Sequence, residues 1–198
     1  IEPDSPRVQG DWSNAAFFLC AGALGGETEI TGLSLDSRQS DRALTDILKA
    51  FGADIKCGSS VSVCKSELFG ITVDISQCPD LFPTLAVTAC AAHGDTVFTN
   101  AARLRIKESD RIEAVEKMIT SLGGFAESTP DSLTVHGTGT LAGGEVNSFN
   151  DHRIVMAAAA AACICESPVV IRDAQAVNKS YPDFFEDYKK LGGKADVI

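Results

Sequence analysis

The sequence predicts an α/β fold made of a pseudo-threefold repeat of βαβαββ units, with buried parallel helices inside and strands outside. Three observations carry that prediction. Asp11, Asp80 and Asp151 recur at intervals of 69 and 71 residues. Each opens a stretch that is apolar on nearly every side, the mark of an interior helix. Each stretch is followed by a short strand and then an amphipathic helix that closes at glycine. One domain, 1–198, is expected, with units at about 1–78, 79–149 and 150–198.

The first helix of each unit runs through Ala15-Ala16-Phe17-Phe18-Leu19, Leu85-Ala86-Val87, and Ile154-Val155-Met156 with its alanine run. Alanine carries high helix propensity and lets helices approach closely. The aspartate at each start is placed to act as an N-cap. Strands are expected at 29–33, 96–99 and 169–172. The second helices show apolar stripes at Leu44, Ile47, Leu48 and Phe51, at Ile112, Val115, Ile119 and Leu122, and at Phe184, Tyr188 and Leu191. They end at Gly52, Gly123-Gly124 and Gly192-Gly193. Units one and two then add two short strands each, near 61–64 with 71–75, and near 133–135 with 145–146. Unit three stops without them, so its missing strands are expected from elsewhere. The chain opens on Ile1 rather than Met, which suggests a piece of something longer.

Composition narrows the function. The formal net charge is −10, from 27 acidic and 17 basic residues, which argues against a nucleic-acid partner. The longest apolar run, Ile154 to Cys165, is too short for a membrane helix. Seven cysteines without a C-x-x-C pattern read as reduced thiols used as small hydrophobes, which points to the cytoplasm and away from a zinc site.

If the three buried helices run parallel, their N-termini meet at one end and favour anions there. The densest polar cluster, Arg103 to Arg111, puts Lys107 and Arg111 four apart, with Glu108 on the neighbouring face. Asn150-Asp151-His152-Arg153 and Asn178-Lys179-Ser180-Tyr181-Pro182-Asp183 form two further clusters. Alone, each reads equally as a salt-bridged helix start, an N-cap or an ordinary surface. Together they put Lys107, Arg111, Arg153 and Lys179 at one end as cations, with Asp80 and Glu108 as acid/base candidates.

"GDWSNAAFFL", "CPDLFPTLAV", "LRIKESDRIEAV", "NDHRIVMAAA" and "NKSYPDFFEDYKKLGG" resemble, in order, blocks of the 3-phosphoshikimate 1-carboxyvinyltransferase (EPSP synthase) family. The likeness is to the carboxy-terminal domain of that two-domain, inside-out α/β architecture. In the family the first strands of the polypeptide cross into this domain, which would complete the third unit. The resemblance implies transfer of the enolpyruvyl group of phosphoenolpyruvate to the 5-hydroxyl of shikimate 3-phosphate. The missing amino-terminal domain would be the partner.

It further implies roles residue by residue. Asp80 and Lys107 contact shikimate 3-phosphate at the attacking hydroxyl, and Asp80 is the candidate base. Glu108 is the candidate acid/base at C3 of phosphoenolpyruvate. Arg111 and Arg153 hold its carboxylate and Lys179 lies near its phosphate, with Asp151 and His152 beside them. Asp11 matches an aspartate near the domain hinge. At Arg103 some members carry a substrate-binding asparagine, so Arg103 stays outside the site. No metal or organic cofactor is implied, because the substrate carries its own leaving group. Two alternatives remain from the sequence: the related transferase acting on UDP-N-acetylglucosamine, and a non-catalytic anion-binding domain.

Overall fold

The computed structural model describes residues 8–198. Three helices form its interior: α1 (Trp12–Gly25), α3 (Phe82–Cys90) and α5 (His152–Ala161). They pack pairwise against one another, as helices apolar all round must. Every residue of α3 and α5 is buried. α1 and α5 run the same way: Gly25, at the end of α1, faces Cys163 just past α5. The outer helices are α2 (Leu44–Phe51), α4 (Arg111–Ser121) and α6 (Phe184–Lys190). Their apolar stripes turn inward; Leu44, Leu48, Phe51, Ile112, Val115 and Ile119 are fully buried.

Among the described residues, nine strands lie outside the helices, in three sheets. The first has the order β1-β3-β2, from β1 (Glu27–Thr31), β2 (Asp54–Cys57) and β3 (Ser60–Cys64). The second has the order β4-β5-β7-β6, from β4 (Thr72–Asp74), β5 (Gly94–Thr99), β6 (Phe125–Thr129) and β7 (Ser132–Gly137). The third pairs β8 (Gly144–Asn147) with β9 (Val169–Arg172) in parallel. The expected buried helices with strands outside are thus the observed architecture.

Unit boundaries differ from the expected ones. β4 pairs in parallel with β5 and β8 with β9, so each opens the unit that follows it rather than closing the one before. One unit, β4 to β7, is a complete βαβαββ. The first lacks its leading strand among the described residues, and the third comprises β8, α5, β9 and α6. β2 and β6 were not expected. Each is held by antiparallel pairing, β2 with β3 and β6 with β7, and both expose most of their residues, so neither shows the alternation that identifies a strand.

A further repeat aims the loops that follow β1, β5 and β9. Gly32, Asn100 and Asp173 come directly after these strands with φ of 82°, 56° and 55°. Only residues that tolerate the left-handed region fit there, and Gly, Asn and Asp do so best. This turn sends each chain into a polar loop and then the outer helix. α6 is tied down by Phe184, whose ring lies 5.2 Å from Phe18, and by the Tyr188 hydroxyl, which donates to the Ala159 carbonyl at 3.2 Å. Burying Phe184 contributes on the order of 2 to 3 kcal/mol.

Candidate active site

The polar cluster sits where the interior helices begin. Asp11 caps α1, accepting from the Ser13 and Asn14 N–H groups at 2.8 and 3.2 Å. Asp151 caps α5, accepting from the Arg153 N–H at 3.0 Å. Asp80 does not cap α3, contrary to the expectation. It lies in a 3₁₀ turn, Pro79–Leu81, and makes no capping bond. Its carboxylate is taken by cations instead.

Asp80 is the hub. Its Oδ1 accepts from Arg111 Nη1 at 2.8 Å and lies 3.7 Å from Lys107 Nζ, while Oδ2 accepts from Arg153 Nη2 at 3.0 Å. Burial alone would raise its pKa; Arg153, Arg111 and Lys107 outweigh burial and hold it below the usual carboxylate value. Lys107 lies outside α4, in extended backbone after a 3₁₀ turn. It and Arg111 therefore do not share a helical face, as their spacing suggested. They converge because both reach the same carboxylate oxygen.

Arg111 is almost wholly buried, 2% exposed, because its other nitrogens are also engaged. Nε donates to Asp151 Oδ2 at 2.8 Å and Nη2 to Asp151 Oδ1 at 3.3 Å. This fork-to-fork pair resists desolvation. Burial would lower the pKa of Arg111, but Asp151 and Asp80 raise it. Asp151 is fully buried and also accepts from the Ser109 hydroxyl at 3.0 Å. Burial pushes its pKa up, and the bonds from Arg111, Arg153 N–H and Ser109 bring it below the ordinary value.

His152 and Glu108 form a second pair, Nδ1 to Oε2 at 2.8 Å. Burial lowers the imidazole pKa and Glu108 opposes it, leaving the net shift downward. The ring is therefore neutral at pH 7. Arg153 keeps a buried Nε without a partner among the described residues. Lys179 is exposed and donates to the backbone carbonyl of Asn150, one residue before the Asp151 cap.

All eight candidate residues therefore fall at one end, linked by short polar contacts or by adjacency in the chain. Sequence reasoning missed Asp41 and Ser109. Asp41 is buried, accepts from the Ser13 hydroxyl, and lies close enough to Asp80 and Arg153 to feel both charges. Burial is the main cause of its raised pKa. It occupies in the first unit the loop that Glu108 occupies in the second, and that equivalence was the available signal. Glu108, Asp151 and His152 each bring a potential ligand atom within 4.8 Å of the others. Arg111 occupies both Asp151 oxygens and lies 4.0 Å from Glu108, so the trio does not fit a cation.

The arrangement is a set of fixed cations around carboxylates, with Asp80, Lys107 and Glu108 still partly exposed, suited to small polyanions. The family model for EPSP synthase (3-phosphoshikimate 1-carboxyvinyltransferase) matches residues 2–188. The 3-phosphoshikimate 1-carboxyvinyltransferase of Clostridium novyi (strain NT) is 48% identical over 191 residues, covering 96% of this chain and 44% of the relative. That of Clostridioides difficile (strain 630) is 43% identical over 192 residues, with 96% and 44% covered. Among solved structures, EPSP synthase from Acinetobacter baumannii superposes with a TM-score of 0.85 at 30% identity, covering 94% of this chain and 47% of that one. The chain thus spans about half the length of the relatives it matches. By the family model over nearly all its length, together with the shared fold, this chain belongs to the EPSP synthase family.

Proposed function

We propose that this chain supplies one half of an active site that transfers the enolpyruvyl group of phosphoenolpyruvate to the 5-hydroxyl of shikimate 3-phosphate. The observation that carries the reading is Asp80, bridged by Lys107 and Arg111 from one distant segment of the chain and by Arg153 from another. Such a bridge is a stored anion site. An incoming carboxylate or phosphate competes with Asp80 for the guanidinium groups. Once released, Asp80 recovers proton affinity and can take the proton of the attacking hydroxyl.

In the addition step the hydroxyl oxygen bonds to C2 of phosphoenolpyruvate, its proton passes to Asp80 with Lys107 adjacent, and C3 gains a proton from Glu108. In the elimination step C3 returns a proton to Glu108, the double bond reforms, the bond from C2 to the phosphate oxygen breaks with its electron pair leaving on phosphate, and the proton held by Asp80 passes to the departing phosphate. Arg111 and Arg153 hold the carboxylate of phosphoenolpyruvate and Lys179 its phosphate. Asp151 fixes the Arg111 plane and caps the helix that carries His152, and His152 orients Glu108. These are positioning tasks, since both side chains are buried. The other half of the site lies in the remainder of the longer enzyme, and the unpaired cysteines fit a reducing cytoplasm.

The test is phosphate release by the full-length enzyme with phosphoenolpyruvate and either shikimate 3-phosphate or UDP-N-acetylglucosamine. Release only with the UDP-sugar would overturn the reading. Binding of shikimate 3-phosphate without any release would leave an anion-binding domain in its place.

A further inference from the structure

The turn that delivers the chain into α5 is strained. Phe149 and Asn150 have φ of 52° and 55°, and the Asp151 N–H closes a 2.9 Å bond to the Ser148 carbonyl. That is a two-residue turn with both central residues left-handed, in which Asn is tolerated and an aromatic residue is an outlier. Such strain persists only where the surroundings over-determine it. Here Asn147 Oδ1 accepts from the Phe149 N–H at 2.7 Å. Ser148 Oγ accepts from the Asn150 N–H and donates to the Asp173 carbonyl, each at 3.2 Å. The Phe149 ring packs against the core, with the Lys117 ammonium 5.8 Å from its centroid.

What this fixes is the Asn150 carbonyl, the only hydrogen-bond partner of the Lys179 ammonium among the described residues. The contrast with Lys107 is informative. Lys107 is held by a carboxylate, which offsets its charge. A carbonyl orients an ammonium and leaves its full charge for an arriving anion.

We propose that Asn150 is a positioning residue whose left-handed backbone aims a carbonyl that fixes Lys179 at the mouth of the site without neutralising it. The inference rests on reading Lys179 as a contact for the phosphate of phosphoenolpyruvate. The test uses the full-length enzyme and a double-mutant cycle. Asn150→Val, which resists the left-handed backbone, should lower kcat/KM for phosphoenolpyruvate by about tenfold or more. Asn150→Gly, which adopts that backbone and keeps the carbonyl, should stay within about threefold of wild type. In a Lys179→Ala background Asn150→Val should cost less than about twofold, because the group it positions is gone.

An equal loss in both backgrounds would mean general damage and would overturn the proposal. So would full activity of Asn150→Val beside an impaired Lys179→Ala. A fully active Lys179→Ala would overturn the substrate role of Lys179, and the proposal with it. Should Asn150→Val not fold, Asn150→Ala meets the same backbone penalty with a smaller side chain and is read in the same cycle.

Discussion

Asp80 and Asp151 are both aspartates at helix starts, yet their environments give them different work. Asp151 is fully buried and shares two oxygens among Arg111, Ser109 and the Arg153 N–H. Asp151→Ala would leave the Arg111 charge buried with only half-buried Asp80 and the more distant Glu108 opposite, at a cost of about 3 to 5 kcal/mol, measurable by denaturant unfolding. Asp80 is half-buried, and Asp80→Asn removes the shared carboxylate charge while keeping its shape. Its expected effect is on turnover, a fall of about a hundredfold or more in kcat, together with a lowered unfolding midpoint, because buried Arg111 and Arg153 lose a shared counter-charge. His152 adds a pH signature. Its folded-state pKa lies below that of the unfolded chain, so between those two values the unfolded chain binds more protons and stability falls as pH drops. Above the unfolded value, about 6.5, the term vanishes. His152→Gln should therefore flatten the stability profile below that point, and an unchanged profile would refute the depressed pKa.

At the scale of elements, the interior helices depend on small side chains. Ala157 and Ala158 in α5 are fully buried, and α5 packs against both α1 and α3. Ala158→Leu adds volume to a packed interface and should destabilise by about 1 to 3 kcal/mol, seen as a lowered Tm. The three helices carry their apolar residues at nearly every position, which made them legible in the sequence. The amphipathic helices were legible for the opposite reason, a one-sided stripe closed by glycine. Gly52, for example, takes φ 96° at the end of α2, a conformation other residues rarely adopt. β2 and β6 were not legible, because short, exposed strands owe their existence to the neighbour they pair with.

At the scale of the molecule, one hydrophobic cluster among the described residues joins the six helices α1 to α6 and the inner faces of the sheets. The chain should therefore unfold in a single cooperative transition, with circular dichroism and fluorescence midpoints coinciding. The same piece should release phosphate negligibly from phosphoenolpyruvate and shikimate 3-phosphate, since it spans about half of its relatives. Robust turnover by residues 1–198 would contradict that expectation.

Periodicity and the spacing of Asp11, Asp80 and Asp151 were enough to specify three buried helices, three outer helices and the end where their polar loops gather. Those features depend on local pattern, and local pattern is written along the chain. Which residue bonds to which was settled by packing. The sequence treats Asp80 and Asp151 alike, as caps; only the approach of Arg111 and Arg153, each from a distant stretch of the chain, turns one into a hub and the other into a buried clamp. The pairing of β4 with β5, the burial of Asp41 and the hold of Asn150 on Lys179 were hidden for the same reason. Each joins residues far apart in the chain, and no property of either residue alone announces its partner.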